Sequence, residues 1–192
     1  MTRIRIVVLA AIAALVLSPV SSPAVQQAKL VALDPSNGDL FGVASAISGD
    51  TAVIGASQDD HALGSNAGSA YVFTRLGDQW TQQQRLFAAD AASNRNFGVS
   101  VAVSGDTAVV GSNLDDPSGP DSGSAYVFVR TVGVWAQQAK LVATDAAGND
   151  QFGASVAIAG DTILVGANSD DLGLNADAGS AYVFTRTGTV WT

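Results

Sequence analysis

The hexapeptide Gly-Ser-Ala-Tyr-Val-Phe occurs three times without a single change, at residues 68–73, 123–128 and 179–184, spaced by 55 and then 56 residues. A period of this length means a solenoid, a propeller or an array of small units, and it governs every residue-level reading that follows. Other landmarks keep the same period. Phe-Gly recurs at Phe41-Gly42, Phe97-Gly98 and Phe152-Gly153, Gly-Asp-Thr begins at Gly49, Gly105 and Gly160, and Trp80, Trp135 and Trp191 recur with them. The chain beyond residue 24 is one unit written three times, with approximate repeats 25–80, 81–135 and 136–191.

Within a unit the pattern predicts four strands. After Phe-Gly, Val99, Val101 and Val103 alternate with Ser100 and Ala102, a period of two. Ser104-Gly105-Asp106 is a tight hairpin signal, and a β-branched strand runs from Thr107 to Gly111. A polar loop leads to a third strand from Ser124 to Arg130, and a Gly-containing turn to a fourth from Trp135 to about Ala143. Tyr71, Tyr126 and Tyr182, with Phe73, Phe128 and Phe184, share one face of the third strands and are expected to fill the same space in each unit. No sustained helical period occurs after residue 24, and all 17 acidic residues are Asp, turn chemistry rather than helix chemistry. The expected fold is therefore all-β: three four-stranded antiparallel propeller blades, strand one innermost.

Residues 1–24 read as an address. Arg3 and Arg5 precede an apolar run from Ile6 to Leu17, and Ser22 and Ala24 suit a cut before Val25. The run is too short to span a bilayer, which needs about 20 apolar residues. It has the arrangement of a secretory signal peptide, so the mature chain is expected to be secreted, periplasmic or at the cell surface, with no membrane span. The net charge of −8 argues against nucleic acid as a partner. With no Cys and one His, disulfides, thiolate chemistry and multi-histidine metal sites are excluded.

The Phe-Gly openings, followed by Gly55-Ala56-Ser57, Gly111-Ser112-Asn113 and Gly166-Ala167-Asn168, resemble the FG-GAP repeat. That family builds the seven-bladed propeller at the N-terminus of integrin alpha chains and of many bacterial exported proteins. The resemblance implies that this sequence is a fragment of a larger ring of about seven blades, and that residues 25–33, which match a fourth strand, are one half of a ring closure. Ser or Asn stands in place of the family's Pro, and Ser45 stands where Val101 and Val156 sit. The family's calcium loop, Asp-x-Asp-x-Asp-Gly between strands one and two, is absent, because that connection is only Ser-Gly-Asp or Ala-Gly-Asp.

In a four-stranded meander the loops from strand two to three and from strand four to the next strand one emerge on the same side. Those loops hold 13 of the 17 carboxylates, among them the pairs Asp59-Asp60, Asp115-Asp116 and Asp170-Asp171. Carboxylates on one face suit a hard divalent cation or a cationic partner, while single Asp residues in loops equally serve to bond their own backbone. These six residues are the candidate metal ligands, for weak and diffuse Ca2+ binding rather than one tight site. His61 has no counterpart in the other units and no nucleophile motif beside it, and is expected to be solvated. The Asp121-Ser122-Gly123 stretch has no base in its unit. No residue is assigned a catalytic role. The expected function is a non-enzymatic adhesion or binding propeller that offers an acidic face to a protein or glycan. The alternatives are the scaffold of a larger secreted enzyme, or a purely structural cell-surface repeat. Further blades of the same protein or self-association are expected to cover its open ends.

Overall fold

The computed structural model describes residues 25–192; the proposed leader, residues 1–24, lies outside the described residues. It contains three antiparallel four-stranded sheets and no helix among the described residues. Blade 1 is β1 (Phe41–Ser48), β2 (Thr51–Ala56), β3 (Ser69–Leu76) and β4 (Gln79–Leu86). Blade 2 is β5 (Ser100–Ser104), β6 (Thr107–Ser112), β7 (Ser124–Thr131) and β8 (Val134–Leu141). Blade 3 is β9 (Phe152–Ala159), β10 (Thr162–Ala167), β11 (Ser180–Thr187) and β12 (Val190–Trp191). Each sheet is a simple meander in chain order, as the hairpin signals predict.

Residues 25–33 form no strand; they lie along blade 1 as β4 lies along blade 2. Ala32 is buried against Ile54, Tyr71 and Phe73, with Leu30 partly buried beside it, and the Leu33 amide donates to Gln82 Oε1 at 2.9 Å. Leu86 and Ala88 hold the equivalent places against blade 2, and Leu141 and Ala143 against blade 3.

The blades stack through their faces. Val53 and Val72 of blade 1 join Val101, Val103, Val110, Tyr126 and Phe128 of blade 2 in one core. Val109 and Val127 of blade 2 join Ile163, Val165, Tyr182 and Phe184 of blade 3 in the next. Burying such a side chain is worth about 1.5–3 kcal/mol, so each interface is a hydrophobic core in its own right.

The signature glycines have a direct cause in this stacking. A Cβ on Gly55 would lie 1.9 Å from the Gly98 carbonyl oxygen, and one on Gly111 would lie 2.0 Å from that of Gly153. Gly68 and Gly123 form parallel bridges to Phe97 and Phe152 of the following blade. The Phe-Gly of blades 2 and 3 therefore seats its backbone in a notch of the blade before it, which only glycine leaves open. The Phe rings close the joint: Phe97 meets Tyr126 and Phe128 edge-on at 5.4 and 6.0 Å, and Phe152 meets Tyr182 and Phe184 at 5.4 and 6.0 Å.

Candidate functional site

The two loop sets that hold most of the aspartates do share one side of the stack. The amide of Asn94 donates to the Ser65 carbonyl at 2.9 Å, and that of Asn149 to the Pro120 carbonyl at 2.8 Å, tying each β2–β3-type loop to the next blade's entry loop. The 13 carboxylates divide into two populations. Asp39, Asp59, Asp115, Asp150 and Asp170 are buried, and the other eight reach the surface.

The inner member of each Asp-Asp pair anchors the blade. Tyr71 donates its hydroxyl to Asp59 at 2.8 Å, Tyr126 to Asp115 at 3.0 Å, and Tyr182 to Asp170 at 2.9 Å. A cation from the fourth strand completes the cluster in two blades. Arg85 pairs with Asp59 at 2.6 Å and Asp34 at 2.7 Å, and Lys140 with Asp115 at 2.7 Å and Asp90 at 2.6 Å. Burial beside carboxylates pushes all three Tyr hydroxyls above their ordinary range. Burial also opposes ionisation of Asp115, but hydrogen bonds from Lys140 and Ser124 outweigh it and hold that carboxyl below the usual range. Lys140 is raised in turn, since Asp115 and Asp90 overcome its desolvation.

The outer member shapes the loop. Asp60, Asp116 and Asp171 each accept a backbone amide, from Asn66, Asp121 and Asp177, at 2.7, 2.8 and 2.8 Å. Asp116 also pairs with Arg95, whose hydrogen bond, with that of the Asp121 amide, lowers its pKa. Asp39 and Asp150 close turns by accepting the Ser36 and Ala147 amides at 2.6 Å. The six candidate ligands are thus split by role within every pair, and among the described residues no group of three carboxylate or imidazole side chains is placed to hold a metal ion.

His61 is more engaged than a solvated loop residue. Its Nδ1 accepts the Leu63 amide at 3.3 Å, its Nε2 lies 3.2 Å from the Gly68 carbonyl, and its ring rests on Phe87. Ser122 is fully buried, and its hydroxyl accepts the Ser118 amide.

The opposite side is built differently. Each tight-turn aspartate meets an arginine: Asp50 with Arg75, Asp106 with Arg130 and Asp161 with Arg186, at 2.7, 2.5 and 2.6 Å. Those guanidiniums lie over Trp80, Trp135 and Trp191 at 5.5, 5.1 and 5.0 Å. Arg130 and Arg186 reach on to the Thr51 and Thr107 hydroxyls of the preceding blade. Sequence reasoning did not find these staples, although Arg75, Arg130 and Arg186 recur with the repeat period.

Meandering four-stranded sheets stacked face to face, strand one inside, define a protein built of β-propeller blades. The FG-GAP repeat model matches residues 24–73, 80–128 and 135–184, and the chain belongs to the FG-GAP repeat family. No curated protein matches it in sequence. Among solved structures, the crystal structure of the computationally designed Ika4 protein aligns over 82% of this chain and 98% of its own, at 14% identity and a TM-score of 0.32.

Proposed function

We propose that the chain is an exported, non-enzymatic recognition module, sent out by residues 1–24, whose acidic loop face binds a protein partner with a basic and apolar surface. The observation that carries this reading is the asymmetry between the two sides. On the turn side, three of the four carboxylates are matched one to one by arginines. On the loop side, eight carboxylates reach the surface, and three cations of that side, Arg85, Arg95 and Lys140, are already held by aspartates.

Apolar side chains stand among those charges. Leu63 and Leu174 occupy equivalent places in the β2–β3 and β10–β11 loops and are 48% and 104% exposed, with Leu172 beside them at 50%. Apolar tips ringed by charge of one sign fit a protein surface, where charge steers the encounter and burial of the tips holds it. Divalent cations, calcium included, would bind the rim carboxylates of Asp60, Asp116 and Asp171 weakly. Asp59, Asp115 and Asp170 are occupied by tyrosine hydroxyls.

The test is capture of surface and secreted proteins of the producing cell by the immobilised chain. Wild type is compared with Leu63→Ser/Leu174→Ser and with Asp50→Asn/Arg75→Gln on the other side. Loss with the first variant and retention with the second is expected. Equal capture by all three, or capture of glycans alone on a carbohydrate array, contradicts the reading.

A further inference from the structure

Val132 stands at the tip of the β7–β8 hairpin with a φ of 49° and is 98% exposed. Both properties are unfavourable for valine. A β-branched residue in the left-handed region is an outlier, and an apolar side chain left in water gains nothing from folding. The turn is Val132-Gly133, with positive φ at both positions, and such turns ordinarily take Asn-Gly, Asp-Gly or Gly-Gly. Blades 1 and 3 put Gly77 and Gly188 in the place of Val132. Strain held at an exposed apolar tip points to a contact made outside the chain. We propose that the turn side of the blades rests on a lipid bilayer, and that the tips of the hairpins between third and fourth strands insert into its interface, Val132 and Val134 foremost.

The hairpins of neighbouring blades have the same character. Leu76 is 88% exposed, Val134 is 61% exposed, and its counterpart Val190 is 59% exposed. Blade 2 packs against a blade on either side, so its valines stand free in an inner blade. The tips are equivalent by repeat, and the rotation from blade to blade keeps them at one height. They belong to the turn side, because the Arg75 and Arg130 amides donate to the Asp50 and Asp106 carbonyls of the tight turns, at 2.8 Å each. The blade 2 tip is also held in place. Gln83 of blade 1 donates to the Gly133 carbonyl at 2.8 Å, and the Gln84 amide exchanges two hydrogen bonds with the Trp135 backbone at 2.8 and 2.9 Å.

Charge and shape decide the occupant. Residues 131–139 carry no charged side chain. The turn side holds Asp50, Asp78, Asp106 and Asp161 against Arg75, Arg130 and Arg186, within one charge of neutral. The surface carboxylates of the loop side lie a strand length away. Strands β6 and β7, of 6 and 8 residues, span roughly 20–25 Å, well beyond a screening length of about 8 Å at physiological salt. An acidic chain therefore meets a bilayer with its uncharged end.

At the foot of each tip an arginine lies over a tryptophan, Arg130 over Trp135 at 5.1 Å and Arg75 over Trp80 at 5.5 Å. Both residue types suit the level of the head groups. The apolar side chains stand on separate convex tips, not in one patch or groove. A folded protein would have to offer a matching pocket to each, whereas a bilayer accepts separate tips at a common depth. So few side chains give a reversible contact, since binding strength follows the apolar area buried.

The experiment is quenching of tryptophan fluorescence by phosphatidylcholine vesicles that carry a nitroxide near the head group. All three tryptophans, Trp80, Trp135 and Trp191, lie at the feet of these hairpins, and residues 1–24 contain none, so the signal reports this rim. Run on the full chain and on residues 25–192, which hold all 12 strands, the titration separates the tips from the apolar run of residues 6–17. Saturable quenching of both is expected, with little dependence on added phosphatidylglycerol. In residues 25–192, Val132→Leu should keep the affinity. Val132→Asn should weaken it about tenfold, the effect of removing one buried apolar side chain, and should raise the melting midpoint, because Asn accepts a left-handed turn. Leu76→Ser/Val134→Ser, which alters side chains exposed in the chain alone, should weaken binding at least as much. Absence of quenching in the wild type, quenching that requires phosphatidylglycerol, or wild-type affinity in Val132→Asn would each overturn the proposal. A dimer in lipid-free solution that Val132→Asn abolishes would assign the tips to a second copy and overturn it as well.

Discussion

Gly111→Ala is the sharpest perturbation of the blade joint. The added methyl would sit 2.0 Å from the Gly153 carbonyl oxygen and 2.2 Å from Ser100 Oγ. The serine could turn away, at the expense of its own 2.7 Å hydrogen bond to that same carbonyl. The carbonyl belongs to the backbone at the start of β9 and cannot yield without moving blade 3. An ordinary contact needs more than 1 Å of extra separation, and Phe152, fully buried, moves with its neighbour. Overpacking of a good core costs about 1–3 kcal/mol, and a clash with backbone belongs at the upper end. At about 2–4 °C per kcal/mol for a domain of this size, Gly111→Ala is expected to lower the melting midpoint by about 6–12 °C. Gly77→Ala is the control, since a Cβ there meets nothing, although its left-handed φ of 60° adds a cost of about 1 kcal/mol. Equal midpoints for the two variants in thermal melts followed by far-UV dichroism would refute this account of the repeated glycines.

Leu40 precedes Phe41 with a φ of 56° and is 49% exposed, so Leu40→Asn should relieve backbone strain and raise stability by about 0.5–1 kcal/mol in urea titration. The folded-state pKa values of Tyr71, Tyr126, Tyr182 and Lys140 are raised, so their contribution is complete below about pH 10 and is lost as pH rises through the folded values. Urea midpoints should hold steady to about pH 10 and fall beyond it, less steeply in Tyr126→Phe. The lowered pKa values of Asp115 and Asp116 act in the other direction, with stability present above about pH 4 and lost as pH falls through the folded values. Melts in calcium, magnesium and sodium chloride of equal ionic strength should differ little. A large shift with calcium alone, abolished by Asp115→Asn/Asp116→Asn, would reassign the aspartate pairs as ligands.

Strand order, the turns and the place of each Phe-Gly were legible because they are local: alternation, Gly-Asp hairpins and an exact hexapeptide need no knowledge of neighbours. The division of labour inside each Asp-Asp pair was not. Asp34, Asp59, Tyr71 and Arg85 arrive from four separate segments, and only the fold brings them together. A signal was present all the same, since the inner aspartate precedes the tyrosine by 12, 11 and 12 residues in the three units. The Asp–Arg–Trp staples escaped for the same reason, the turn aspartate lying 24 or 25 residues before its arginine. The glycines announced a constraint without naming it; that it is the carbonyl of the next blade belongs to packing alone.

One joint, Phe-Gly seated against a glycine notch, holds blade 1 to blade 2 and blade 2 to blade 3. Gly55→Ala set beside Gly166→Ala tests it most directly. The methyl added at Gly55 would lie 1.9 Å from the Gly98 backbone carbonyl oxygen, whereas that added at Gly166 would come closest to the Ser155 hydroxyl, at 2.3 Å, a side chain that can turn away. Thermal melts followed by far-UV dichroism should show a large loss for Gly55→Ala and a small one for Gly166→Ala. A loss in Gly166→Ala as large as that in Gly55→Ala would contradict the account.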